Sequence, residues 1–285
     1  MKTSSSSLVA LTLVAVAAAC GEPPPPVVPT PPPPTTAPPP TTAPPPVDPP
    51  RAETPDADFR KAPPSAGPRV VFKPPTVETF ALKNGVKVLL VQRHDLPVVS
   101  VRVVSKVGAG DIDARPGAVS FVGSMMEQGT KTRSALQVSD DYDAVGAQHG
   151  AWFDWDSGGA SVRVPTSGLP AALAVLADVV LAPTFPDAEI ERLRSRWIAG
   201  LQQEKQSSGA MAQNALAAAV FGRAHPYGHS MSGEIDDVKK ITRGELAKIH
   251  AAAFAPTRIA ITVCGDVTQG EIAPALEKTF GAAKA

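Results

Sequence analysis

The sequence predicts an α+β body, a mostly antiparallel sheet with helices packed on one face, carried behind a disordered proline-rich linker. Three observations predict it. β-Branched runs and amphipathic helical stretches alternate only from Thr76 onward. An Asn84-Gly85 turn joins the first two runs, which makes them antiparallel neighbours. Finally, 17 of the 30 residues at 21–50 are proline, a composition that cannot build a core, so folding must begin further along the chain.

The N-terminus reads as a targeting segment. Met1-Lys2 supplies a small positive start, and the apolar stretch 8–19 is too short to span a bilayer as a mature helix. It runs into Ala17-Ala18-Ala19-Cys20-Gly21, which resembles a bacterial lipobox, with Cys20 as the residue that becomes lipid-modified. The usual Leu three positions before the Cys is Ala17 here. An ordinary secretory signal cut after Ala19 is the other reading, and both send the chain out of the cytoplasm. Residues 1–20 are thus a signal peptide and 21–75 a linker. Two consecutive Pro-Pro-Pro-Thr-Thr-Ala repeats at 32–43 favour extended polyproline II, and at ~3.1 Å per residue the segment 21–50 would reach about 90 Å. A tether behind a lipidated Cys fits this better than a proline-rich recognition ligand. Gly21 is not the Asp that retains lipoproteins at an inner membrane, so by resemblance to that sorting rule the expected place is the bacterial outer membrane, facing periplasm or surface.

Residues 78–82 and 86–92 read as the hairpin around Asn84-Gly85, and 98–107 as a third, β-branched strand. A helix at 134–147 follows, then two short strands within 151–165 that carry Trp152, Phe153 and Trp155. Helical spacing recurs at 169–181, 187–206 and 242–254, and 258–264 is an apolar strand. Cys264 in that strand reads as buried. With Cys20 as the only other cysteine, no disulfide framework exists. Lys plus Arg equal Asp plus Glu at 27 each, which argues against a nucleic-acid or acidic-substrate surface.

The chemistry-bearing stretch is Gly117-Ala-Val-Ser120-Phe121-Val-Gly123-Ser124-Met-Met-Glu127-Gln-Gly129-Thr130. It resembles the active-site helix of the insulinase, pitrilysin and mitochondrial-processing-peptidase family, an H-x-x-E-H inverzincin group whose frame is G-x-x-H-F-x-E-H-x-x-x-x-G-T. On a helix, positions i and i+4 share a face, so two histidines there aim at one zinc while the Glu between them activates its water. Ser120 and Ser124 stand in place of the histidines, and Gly123 in place of the base. The family's third ligand, a Glu on a later helix, falls 76 positions beyond Ser124, at Gly200. The resemblance extends through the Asn-Gly hairpin, Pro97 and the strand after it, Gly108-Ala109-Gly110-Asp111, Pro183-x-Phe185-Pro186 and His225-Pro226-Tyr227-Gly228. It covers about 76–283, so 76–285 reads as one insulinase-type lobe where family members usually carry two.

What the resemblance implies is a zinc-peptidase-like pseudoenzyme without metal or cofactor. It would be lipid-anchored at Cys20 and would serve as a binding or partner subunit of a processing peptidase. The implied partner is a second insulinase-type lobe or an active homologue, with an extended peptide as a further ligand, the membrane reached through the lipid, and no nucleic acid. The face around Ser120, Ser124 and Trp152 would then be more apolar than an ordinary surface.

Two other readings stand beside it. One is an active zinc metalloendopeptidase with an unorthodox site, which requires His149, His225, Glu127 and Glu204 to converge. Glu204 lies one helical turn beyond Gly200, but a lone carboxylate makes no zinc site. His225 and His229 are four apart, yet Pro226 and Gly228 between them point to a loop. Gly150-Ala151-Trp152-Phe153 departs from the family's Asn-Ala-x-Thr strand, which puts peptide capture by strand addition in doubt. Ser120 or Ser124 as nucleophile would need a base within reach, and the helix offers none. The other reading is a structural envelope lipoprotein.

Overall fold

The computed structural model describes residues 61–63, 67 and 71–283. Six strands form a single sheet in the order β1-β2-β6-β3-β5-β4. β1 (Glu78–Ala81) and β2 (Lys87–Gln92) are the expected hairpin, with Glu78 opposite Leu90 and Ala81 opposite Lys87. Gly85 takes a φ of 86°, a conformation that costs an L side chain and suits glycine. Asn84 also ties the turn to the far end of the chain, its amide donating to the carbonyls of Phe280 at 2.9 Å and Ala283 at 3.2 Å.

β3 (Val98–Ser105) lies between β6 (Ile259–Gly265) and β5 (Gly158–Pro165), antiparallel to both, and β4 (Gln148–Phe153) closes the sheet as its edge. Only the β2–β6 pair is parallel among the described strands. The period of two decides which side is dry. Val99, Val101, Val103, Val162, Val164, Ile261 and Val263 are buried, whereas Arg102, Arg163 and Cys264 on the opposite side are exposed. One sheet face is therefore covered and one is open, as the sequence predicts.

The helices are α1 (Ala118–Met125), α2 (Ala135–Asp143), α3 (Leu169–Leu181), α4 (Asp187–Glu204), α5 (Ser208–Phe221), α6 (Ile235–Val238), α7 (Arg243–Ala253) and α8 (Gln269–Phe280). α2 starts where a capping box starts it: the Ser134 hydroxyl accepts from the Gln137 N–H, and the Gln137 amide oxygen accepts from the Ser134 N–H. α3 is the central layer and packs on β5 and α8, burying Leu173, Leu176, Val179 and Val180. Each such side chain contributes about 1.5–3 kcal/mol through removal from water.

One expectation is corrected, and one helix lies where the sequence reading assigned none. Cys264 is exposed, because β6 alternates and its odd-numbered residues take the covered face. The helical stretch expected at 187–206 is followed at once by a separate helix, α5, which the Ser207 hydroxyl starts by accepting from the Ala210 N–H. Cys20 and most of the proline-rich stretch lie outside the described residues.

Candidate functional site

α1 turns its apolar side, including Val119, Phe121, Val122 and Met125, into the core and leaves Ser120 half-buried and Ser124 exposed on one face. The i, i+4 geometry read from the sequence is therefore present, with hydroxyls in place of imidazoles. Ser120 Oγ donates to the Met231 carbonyl at 2.9 Å, so its proton is committed to the loop before α6. Neither serine meets a base among the described residues.

α4 is fixed beside α1 by Trp197. Its ring lies 5.4 Å from that of the fully buried Phe121, and its Nε1–H donates to the Ser232 carbonyl at 2.9 Å. Gly200, about one turn further along α4, is exposed, and a Cβ built on it would meet nothing within 4 Å. Gly123 is the opposite case. It is buried, and a Cβ there would sit 3.0 Å from the Phe153 nitrogen, 3.0 Å from the Trp152 carbonyl carbon and 3.3 Å from Trp152 Cα. These are backbone atoms of the edge strand β4, which close over the helix at the position the resemblance assigns to the base.

The four residues proposed for an unorthodox site separate into unrelated groups. Glu127 and His149 do meet, with Oε1 and Nδ1 2.8 Å apart, and the imidazole stacks on Tyr142 at 4.1 Å. Tyr142 is buried with its hydroxyl unpartnered among the described residues, and burial, followed by the Glu127 charge, pushes that hydroxyl's pKa up. Glu204 instead accepts from the Asn214 amide of α5 at 3.1 Å. His225 accepts the Tyr227 N–H at 3.1 Å and stacks on Phe221, while His229 lies against the Ser230 carbonyl. No three His, Cys, Asp or Glu side chains are gathered to hold a metal ion among the described residues.

The zinc that the resemblance implies does not fit here. Two hydroxyls and two glycines offer no imidazole or carboxylate, and one hydroxyl already donates to a carbonyl.

Trp152 is half-buried, with the Arg102 guanidinium 5.0 Å from its ring centre. Four large exposed apolar side chains, Met211, Leu216, Val220 and Phe221, belong to α5, a helix with no charged residue, while Val71, Phe72, Val77, Leu96 and Leu136 are exposed elsewhere. Sequence periodicity missed this surface because the few polar residues of α5, Ser208, Gln213 and Asn214, sit among alanines and define no stripe.

The profile of the insulinase family, peptidase family M16, matches residues 87–233. An uncharacterized zinc protease of Mycobacterium leprae is 27% identical over 201 residues, covering 70% of this chain and 45% of that protein. The mitochondrial-processing peptidase subunit beta of Rattus norvegicus is 24% identical over 217 residues, covering 76% of this chain and 44% of the subunit. A crystal structure of a peptidase M16 inactive domain from Pseudomonas fluorescens superimposes with a TM-score of 0.70 at 27% identity, over 74% of this chain and 52% of that one. The chain spans about half the length of the relatives it matches. With a family profile running through more than half of its residues, from the first hairpin to the loop before α6, the chain belongs to the insulinase family, peptidase family M16.

Proposed function

We propose that this chain is a catalytically inactive insulinase-family homologue, tethered by a lipid on Cys20 in the bacterial cell envelope, that serves as a partner subunit for a second insulinase-type lobe. The observation that carries the reading is the residue set on α1 and α4, with hydroxyls at Ser120 and Ser124 and no side chain at Gly123 or Gly200. A Cβ at Gly123 would also stand 3.0 Å from two backbone atoms of β4, a tight fit for any side chain there. The hydroxyl of Ser120, spent on the Met231 carbonyl, supports the same conclusion from the ligand side.

The partner role draws support from α5. A surface helix of 14 residues with none buried and none charged leaves apolar area in water that a second lobe would cover. The relatives, about twice as long as the region they share with this chain, carry further sequence that a partner could supply in trans. The test is cross-linking in the native envelope followed by mass spectrometry. Cross-links from α5 to another insulinase-type lobe, either a second copy or an active homologue, are the expected outcome. Recovery of uncrosslinked chain alone, with monomeric sedimentation at high concentration, would leave the structural lipoprotein instead. The tether is tested separately: Cys20→Ser moves the protein from the membrane fraction to the soluble one, and an unchanged membrane fraction contradicts a lipid anchor.

A further inference from the structure

The uncovered face of the sheet carries charge of one sign. The pairing registers put Arg163 in the row of Ser100, Arg102 in the next row, and Lys87 in the row of Val104, so each of three successive rows holds one cation. All three are exposed, and none has a carboxylate partner among the described residues. The six described strands contain a single acidic residue, Glu78, and its register opposite the buried Leu90 turns it to the covered side, where it accepts from the Gln92 amide at 2.7 Å. Acidic groups near the strand ends are already engaged. Asp95 pairs with Arg93 and Asp266 with His94, each at 2.7 Å, while Asp154 and Asp156 in the β4–β5 turn accept from the Trp155 N–H and the Tyr227 hydroxyl. The whole chain carries equal numbers of acidic and basic residues, so the positive sign is a property of this face and not of the composition.

The spacing of these charges restricts the partner. Strands lie ~4.8 Å apart and rise ~3.3 Å per residue, so Arg163 on β5 and Lys87 on β2, three strands and four residues away, stand about 20 Å apart. No small anion bridges that distance. A partner that meets all three cations at once must be broad and must repeat its negative charge, as a bilayer of anionic lipid does. The ring in the Lys87 row fits the same partner. Trp152 is half-buried, 5.0 Å from the Arg102 guanidinium, and an indole beside long cationic side chains suits the boundary between headgroups and acyl chains. Half-buried Leu89 and Val91 supply apolar surface along which the cationic stems can lie.

We propose that the uncovered sheet face docks on an anionic lipid bilayer through Lys87, Arg102 and Arg163. The choice of a bilayer over another polyanion rests on the envelope tether argued above, which would hold the body beside one and let weak contacts suffice. The purified Cys20→Ser chain, which has no thiol to carry the lipid, is mixed at low salt with vesicles of phosphatidylcholine alone and of equal parts phosphatidylcholine and phosphatidylglycerol. Co-sedimentation gives two partition coefficients. Their ratio reads the charged face, because an apolar leader contributes to both, and failure of the anchor reading shows in the membrane fraction of cells and leaves the ratio untouched. Each cation near such a surface contributes about fivefold, so the ratio should be on the order of a hundred and should fall as salt is raised. Arg163→Gln lowers it about fivefold and Arg163→Lys keeps it. Lys248→Gln, which removes an exposed cation from α7, leaves it unchanged. Equal partition into both vesicles, or the same loss from Lys248→Gln as from Arg163→Gln, would overturn the proposal. So would displacement from the vesicles by free glycerol phosphate at equal phosphate or by polyglutamate at equal charge, which would assign the face to a small anion or to an acidic polypeptide.

Discussion

Gly123→Ala adds one carbon at the point where β4 presses on α1, and Gly200→Ala adds the same carbon where nothing lies within 4 Å. Both glycines sit inside helices, so each substitution gains about 0.5–1 kcal/mol from reduced backbone entropy and better helix propensity. At Gly200 that gain stands alone, and Gly200→Ala raises stability by about that amount. At Gly123 the new carbon lies 3.0 Å from two atoms and 3.3 Å from a third, all of them backbone, so no side chain can swing aside to make room. Overpacking of this kind costs about 1–3 kcal/mol, which leaves Gly123→Ala between roughly neutral and about 2.5 kcal/mol less stable than the parent. The two variants should therefore differ by about 1–3 kcal/mol, with Gly200→Ala the more stable. Urea unfolding followed by far-UV circular dichroism measures the difference directly, provided the denaturant slopes agree. Equal stabilisation of both proteins would refute the reasoning, because it would mean that β4 leaves room for a side chain on the helix.

Two further outcomes follow from buried polar groups. Burial holds the pKa of His250 below its ordinary value of 6.5, against the opposing pull of its Nε2 contact with the Val180 carbonyl at 2.9 Å. The unfolded chain then binds the proton more readily, so stability present above 6.5 is lost as pH falls below it. A His250→Gln variant should show a flatter fall of its unfolding midpoint on acidification, and an unchanged slope would contradict the assignment. Tyr142→Phe removes a buried hydroxyl without a partner among the described residues and should raise stability by about 1 kcal/mol in urea unfolding. A loss of stability instead would mean that the hydroxyl is satisfied in solution.

Much of the fold is legible in the sequence, for local reasons. Asn84-Gly85 fixes a turn, alternating valines fix the covered face of β3, and the run that becomes α3 is long and periodic enough to be bounded residue for residue. The helix start at Ser134 is written in its own capping pair. The misses come where burial is decided by neighbours distant in sequence. Cys264 sits in an apolar run, and only the choice of covered face puts it outside. α5 shows no stripe because none of its sides is polar enough to define one. At the site, the spacing of Ser120 and Ser124 on one face of α1 follows from helical period alone. Nothing in the spacing announces that β4 closes over Gly123 or that Glu127 reaches His149. Those contacts join segments brought together by the sheet, and local pattern carries no information about them.

The central claim is that this insulinase-type lobe has lost its zinc chemistry, and the most direct test is metal content measured together with cleavage. The purified chain, dialysed against metal-free buffer, should retain far less than one zinc per chain and should leave unfolded peptides intact with or without a chelator. Zinc retained through dialysis at about one ion per chain, with peptide cleavage that a chelator abolishes, would contradict the account.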